Sequence, residues 1–223
     1  MNIESCWYKA KCKNKCSVSC LRYNCMESLF ENSNIPEYMW NIKSLVCDVE
    51  DANAFRQLQG ISDNISLFVE TGRNVYIYSE ICGNGKTSWA VKLMYSYFDK
   101  IWHKSGFECH GLFINVPAFL YNCKRHISVK VEGFEELCKQ IQECELVIWD
   151  DLPSSEFTSY EHQIVLQYID GRINSGKSNI FTGNCGKEAC YKLMGDRLSS
   201  RLFGCSEVVE FKECDKRGAA SRW

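Results

Sequence analysis

Long apolar runs are missing from this chain. No stretch approaches the ~18 consecutive apolar residues that a membrane-spanning helix needs, and the opening MNIESCWYKA lacks the apolar segment of a secretory signal. A cytoplasmic location without membrane contact is expected. A dominant charge is missing too: 26 Lys and Arg stand against 28 Asp and Glu, for a formal net charge of -2. That balance excludes a general basic field for gripping nucleic acid and leaves only local patches for the purpose. There is no internal repeat and no low-complexity tract. With 45% hydrophobic and 24% charged residues, the 223-residue chain can bury the core of one mid-sized α/β domain plus a small appendage.

Cysteine, by contrast, is abundant. Of the 15, ten lie from Cys47 onward among predicted strands, helices and loops, where the side chain serves as a small hydrophobe. The other five, Cys6, Cys12, Cys16, Cys20 and Cys25, crowd into a basic head that also carries Lys9, Lys11, Lys13, Lys15 and Arg22. In a reducing compartment such crowding points to metal rather than disulfides. Cys6, Cys12, Cys16 and Cys20 are spaced as C-x₅-C-x₃-C-x₃-C, and four thiolates suit tetrahedral Zn²⁺, with a 4Fe-4S cluster as the alternative. Thiols lined along one helical face are the plain alternative. A metal would compensate for the scarcity of large apolar residues in the head.

Residues 1–32 therefore read as a Cys-rich N-terminal region, 33–50 as a linker broken at Pro36, and 51–223 as the main domain. Asp51 is a plausible N-cap for a helix through Leu58, and NISLFVETG ends at Gly72, suited to a left-handed cap. From Asn74 onward strands alternate with helices. VYIYS, GLFINV, ELVIWDD, SNIFTGN and EVVEF read as strands. KTSWAVKLMYSYF, FEELCKQIQEC, SYEHQIVLQYIDGRIN and a short stretch from Tyr191 to Phe203 read as helices. The alternation predicts βαβ units around a parallel sheet.

Between the first of these strands and its helix lies Ser79-Glu80-Ile81-Cys82-Gly83-Asn84-Gly85-Lys86-Thr87. It matches G-x-x-x-x-G-K-[ST] except that Glu80 replaces the first Gly. Gly83 and Gly85 let backbone N–H groups turn toward a phosphate, Lys86 reaches its outer oxygens, and Thr87 offers a hydroxyl to Mg²⁺. Asn84 and Ser88 complete the expected ATP-binding set, at the mouth of a helix whose N-terminal dipole favours anions. Downstream, LVIWDD delivers Asp150 and Asp151 to the C-terminal edge of the sheet, where open α/β sheets bind ligands. Asp150 is the candidate for holding Mg²⁺, and Asp151 for orienting or deprotonating the attacking water. Asn184, at the tip of SNIFTGN, is placed to hold that water against the γ-phosphate.

Taken in order, YSEICGNGKTSWAVKLM, LVIWDDLP, IFTGN and GDRLSSRLFG followed by EFKECDKRG resemble the DnaC/DnaI-type helicase loaders, AAA+ ATPases of bacteria and their phages. The resemblance covers roughly Asp51 to Gly218, and RYNCMESLFENSNIP is similar to the amino-terminal region of phage and mobile-element members. It implies an AAA+ P-loop core with Walker A at Gly83, Gly85, Lys86 and Thr87, Walker B at Asp150 and Asp151, and sensor 1 at Asn184. It further implies an arginine finger at Arg201, with Arg197 as substitute, and sensor 2 at Arg217. Arg197 and Arg201 also fit a solvated helix face, one turn apart. The implied activity is slow ATP hydrolysis, stimulated by assembly or DNA, by a loader that delivers the replicative DnaB-type helicase onto single-stranded DNA. The head would grip the helicase, and subunits would associate through the ATP site. Lys124 and Arg125 near Tyr121 and Phe119 are the local candidates for contacting DNA. Two other functions fit the same motifs: an ATPase helper of a transposition system, and an ATP-responsive DNA-binding adaptor with little hydrolysis.

Overall fold

The structure, a computed structural model, describes residues 6–9, 12–13, 17, 19–40, 45, 47–106, 108–152 and 156–212. In chain order its elements are α1 (Leu21–Glu31), α2 (Ala52–Asp63), α3 (Ile65–Glu70), β1 (Asn74–Tyr78), α4 (Lys86–Ile101), β2 (Gly111–Asn115) and α5 (Val116–Ser128). There follow α6 (Phe134–Glu143), β3 (Leu146–Leu152), α7 (Ser159–Asn174), β4 (Ser178–Gly183), α8 (Lys187–Gly204) and β5 (Ser206–Glu210). Among the described residues no helix is long and apolar enough to cross a membrane.

The five strands form one sheet in the order β2-β3-β4-β1-β5, every pair parallel. Because side chains alternate along a strand, each of β1 to β4 feeds two cores. Val75, Ile77, Phe113, Ile148 and Ile180 pack against α1 to α4. Tyr76, Leu112, Trp149 and Phe181 pack against α5 to α8. With both faces covered, the inner strands β1, β3 and β4 are buried along nearly their whole length. At the edge, β5 exposes Glu207 and Glu210, charges that discourage pairing with another chain.

At the N-terminal edge of the sheet the guanidinium of Arg172 is fully buried. Nε donates to Asn179 Oδ1 (2.7 Å), Nη1 to the carbonyls of Ile141 (2.5 Å) and Cys144 (3.0 Å), and Nη2 to those of Glu145 (3.3 Å) and Ser178 (2.6 Å). Every N–H of the side chain is thereby matched. Asn179 also accepts from Trp149 Nε1 and donates to Asn74 Oδ1, so one polar cluster ties α7 to the starts of β1, β3 and β4.

Local signals hold where chemistry is local. After α3, Gly72 takes φ 64°, its N–H bonds the Val69 carbonyl and that of Arg73 bonds the Phe68 carbonyl. This is the double-bonded left-handed cap that a helix-ending glycine provides. Thr158 and Glu161 cap α7 reciprocally. Asp51 differs from expectation. It precedes α2, but its side chain makes no cap bond and instead accepts from the Lys212 N–H at 2.8 Å, a tertiary tie to the end of β5. Helix α5 was not anticipated, and α8 runs longer than Tyr191–Phe203, with Gly195 breaking it at φ 74°.

The expectation of metal in the Cys-rich head gains no support. Among the described residues no group of three or more His, Cys, Asp or Glu side chains is gathered to hold an ion, and Cys16 lies outside the described residues. The zinc or iron–sulfur site of Cys6, Cys12, Cys16 and Cys20 is therefore unsupported. The head has support of another kind: Met26, Leu29 and Phe30 of α1 are buried in the core around α4. Trp7 stacks on Phe30 at 5.2 Å, and its Nε1 donates to the Trp40 carbonyl. Tyr8 Oη and Arg22 Nη2 both donate to Asp99 Oδ1, near the end of α4. Fully burying three side chains like those of α1 contributes roughly 5–9 kcal/mol before ordering costs. That approaches what a structural zinc supplies in small domains. In the segment after α1, Ile35 and Met39 are also buried.

Candidate functional site

The site grows from the C-terminal ends of β1, β3 and β4. Beyond β1 the chain is held by Ser79, whose N–H donates to the Gly183 carbonyl and whose Oγ accepts from the Ile81 N–H. The turn is made by Gly83 and Gly85, at φ 80° and 96°, left-handed values that favour glycine. Glu80 is not in that region. The missing first glycine of the pattern is thus not demanded by backbone conformation here. The Glu80 carboxylate lies beside Gly186, the N-cap of α8, where the helix dipole favours negative charge.

Gly85 hands the chain directly into α4, so the N–H groups of Lys86, Thr87 and Ser88 occupy its open first turn. Lys86 is buried, and its Nζ donates to the Ile81 carbonyl at 3.0 Å and to Asn84 Oδ1 at 3.2 Å, both oxygens of its own loop. Asn84 is buried, and its Nδ2 has no hydrogen-bond partner.

Opposite the loop, Asp150 is buried at the end of β3. Its Oδ1 accepts from Thr87 Oγ1 and from Thr182 Oγ1, each at 2.7 Å. Burial pushes its pKa above the ordinary carboxylate value, against the opposing pull of the two hydroxyls. Asp151 follows at φ 65°, and the β3–β4 register shifts between Trp149 and Leu152. Its N–H donates to Thr182 Oγ1 at 3.1 Å, and its Oδ1 accepts from Asn184 Nδ2 at 3.2 Å.

The residues fit a nucleotide with a divalent cation. Asp150 is a buried carboxylate whose hydrogen-bond partners here are neutral hydroxyls, and a cation would complete that charge. Thr87 and Asp150 are hard oxygen donors already 2.7 Å apart, as Mg²⁺ prefers. Gly83, Gly85, Lys86 and the first turn of α4 form the anion cradle. Expected members Lys86, Thr87, Asp150, Asp151, Asn184 and Asn84 are therefore brought together, with half-buried Ser88 in the same first turn.

Other expected residues lie apart from this cluster. Arg201 Nε pairs with Asp170 Oδ1 at 2.5 Å, joining α8 to α7. Arg197 lines an open cavity of about 400 Å³ with His162, Lys192 and Gly195. Arg217 lies outside the described residues. Of the candidate DNA-contacting group, Phe119 is a core residue, 3% exposed, while Tyr121 is 66% exposed. Lys124 Nζ is bound to Glu161 Oε1 at 2.8 Å. Pro117, Tyr121, Lys124, Phe157, Glu161 and Asp151 share a cavity of about 190 Å³. Thr182 is the functional-site residue that sequence reasoning passed over. Its only signal is a hydroxyl following the apolar pair Ile180 and Phe181, two places before Asn184.

No protein-family model matches the chain, and no curated protein matches it significantly. Solved structures do. A crystal structure of the DnaC helicase loader superposes with a TM-score of 0.65 at 18% identity, covering 79% of this chain and 100% of that one. The chain has the fold of a DnaC-type helicase loader. The DnaI crystal structure gives the same answer, with a TM-score of 0.61, 15% identity and coverage of 83% and 95%. The replication initiator DnaA, bound to AMPPCP and single-stranded DNA, gives 0.57 at 16% identity over 76% of this chain and 48% of DnaA.

Proposed function

We propose that this chain is an ATP-hydrolysing helicase loader that places a DnaB-type replicative helicase on single-stranded DNA. The observation that carries the reading is the Lys86 loop facing the hydrogen-bonded set Thr87–Asp150–Thr182. DnaC-like and DnaI-like folds support the choice of partner, and the nucleotide and DNA held by DnaA support the choice of ligands.

Bound Mg·ATP supplies the electrophilic γ-phosphoryl group, with the cation offsetting the phosphate charge. Lys86 and the N–H groups of α4 bind the outer phosphate oxygens, and Thr87 and Asp150 hold the cation. Asp151 would orient the attacking water and take its proton as the water oxygen bonds the γ-phosphorus and the bond to ADP, the leaving group, breaks, while Asn184, bonded to Asp151 Oδ1, fixes that carboxylate. Arg201 serves the ATP site of a neighbouring subunit, on leaving or sharing Asp170, and Arg217 serves as sensor 2. The exposed Tyr121 with Lys124 and Arg125 contacts DNA, beside the cavity that reaches Asp151. The head, residues 1–32, takes part in helicase contact without an assigned metal, and 51–223 is the ATPase domain.

The test is calorimetric titration of the purified protein with Mg·ATP, with Lys86→Ala beside it. Losing a charged hydrogen-bond donor of this kind raises Kd by roughly 10–100-fold. Turnover with and without single-stranded DNA, and co-purification with a DnaB-type helicase, complete the test. Absence of binding by the wild type at millimolar Mg·ATP would overturn the reading.

A further inference from the structure

Thr182 sits on β4, 1% exposed, with its side chain on the α4 face of the sheet, the face of Ile180 and of Asp150. Its hydroxyl has one proton and goes to Asp150 Oδ1 at 2.7 Å, while its oxygen accepts the Asp151 N–H at 3.1 Å. One side chain thus links the two consecutive carboxylates, the first through a donated bond and the second through its backbone.

The linkage coincides with a strained point. Asp151 adopts φ 65°, a conformation that among the described non-glycine residues only Asn34 shares. Such residues persist where their surroundings over-determine them. Here the surroundings are Thr182 on the Asp151 N–H, Asn184 on its carboxylate and the register shift between Trp149 and Leu152. The left-handed turn splits the carboxylates: Asp150 faces Thr87 on α4, and Asp151 faces Asn184 and the cavity beside Tyr121. A regular strand would also alternate them, but without anchoring the Asp151 backbone to the oxygen that orients Asp150.

We propose that Thr182 is a positioning residue for ATP hydrolysis, holding the cation-binding Asp150 and the water-orienting Asp151 in one fixed relation. This rests on the ATPase reading above. It acts through the aspartates and touches neither nucleotide nor cation. Its loss weakens the chemical step and the Mg²⁺ dependence while sparing the phosphate cradle, where Lys86 Nζ is bonded to the Ile81 carbonyl and Asn84 Oδ1 of its own loop.

The test compares wild type with Thr182→Val, which keeps the shape and removes the hydroxyl, and Thr182→Ser, which keeps the hydroxyl and removes a methyl. Turnover is measured against ATP and against Mg²⁺, alongside binding of a fluorescent ADP analogue without Mg²⁺ and melting temperature. Expected for Thr182→Val is a kcat lower by about 10–100-fold, a higher Mg²⁺ requirement, and metal-free analogue affinity within about threefold of wild type. Thr182→Ser restores most of the turnover. If Thr182→Val turns over within about twofold of wild type, or Thr182→Ser is as impaired as Val, the positioning role is wrong. The same holds if Thr182→Val loses metal-free analogue binding, since a general structural defect would then explain the result. Should the wild type neither bind the analogue nor hydrolyse ATP, the ATPase reading itself fails, a distinct outcome that also removes this role.

Discussion

Replacing Arg172 by Met tests the architecture on which the site is built. The substitution removes five hydrogen bonds in one step, four of them to main-chain carbonyls at the N-terminal edge of the sheet. Each buried acceptor left without a donor costs about 1–3 kcal/mol. Against that stands the removal of a buried cation, whose affinity for its proton burial already depresses. The net expected loss is about 3–5 kcal/mol, the range for breaking a buried charged network. For a chain of this size that lowers the melting temperature by about 6–20 °C. Arg172→Lys should recover less than half of the loss, because one ammonium cannot serve acceptors spread over Ile141, Cys144, Glu145 and Ser178. The assay is urea unfolding followed by circular dichroism, with the slope compared across variants to exclude a change of unfolding mechanism. A loss for Arg172→Met below about 1 kcal/mol would refute the reasoning, showing that water or a relaxed sheet edge replaces the guanidinium.

Two further expectations concern charge. Burial raises the Asp150 pKa, so its ionised form destabilises the fold at neutral pH, a cost that fades as pH falls and the group protonates. Asp150→Asn should therefore melt higher than wild type at pH 7 without nucleotide, lose Mg²⁺-dependent nucleotide binding, and show a narrower stability gap in acid; a lower melting point at pH 7 counts against it. Glu161 behaves oppositely: the Lys124 ammonium and the Thr158 N–H hold it down to about 2. Its stabilisation is full above the ordinary value of 4.5 and is lost as pH falls toward about 2. Lys124→Met should cost stability at pH 6 and converge with wild type in acid, as read by denaturant midpoints at each pH.

Much of this was legible from the chain alone, for identifiable reasons. Lys86, Thr87 and Asp150 could be placed because a strand, a glycine turn and a helix mouth are local features, and because LVIWDD is apolar until its last residues. Asp151 and Asn184 followed from strand ends. What could not be read was tertiary. Thr182 looks like filler in SNIFTGN until β3 is laid beside β4. Helix α5 was hidden because it begins on the residue after β2, with Asn115 as cap and Pro117 in its first turn. Asp51 has the right identity for a cap but is recruited by Lys212 from the far end of the chain. In the head, thiol spacing points to metal, while the contacts the structure shows, Trp7 on Phe30, Phe30 on Phe98 and Tyr8 on Asp99, join residues that spacing does not relate.

The docking of α1 bears on how the molecule can be dissected. Met26, Leu29 and Phe30 lie against the same helix that opens with Lys86, and Phe30 meets Phe98 edge-on at 5.4 Å. A polypeptide begun at Ala52 would take Phe30 away from Tyr95 and Phe98, leaving an apolar patch on the flank of α4. Scissors applied at that point remove a supporting wall together with the suspected handle. Loss of function in such a fragment would then report on a damaged scaffold as readily as on a missing grip, and point substitutions on α1's outer side, beginning with the exposed Leu21, are the cleaner tool.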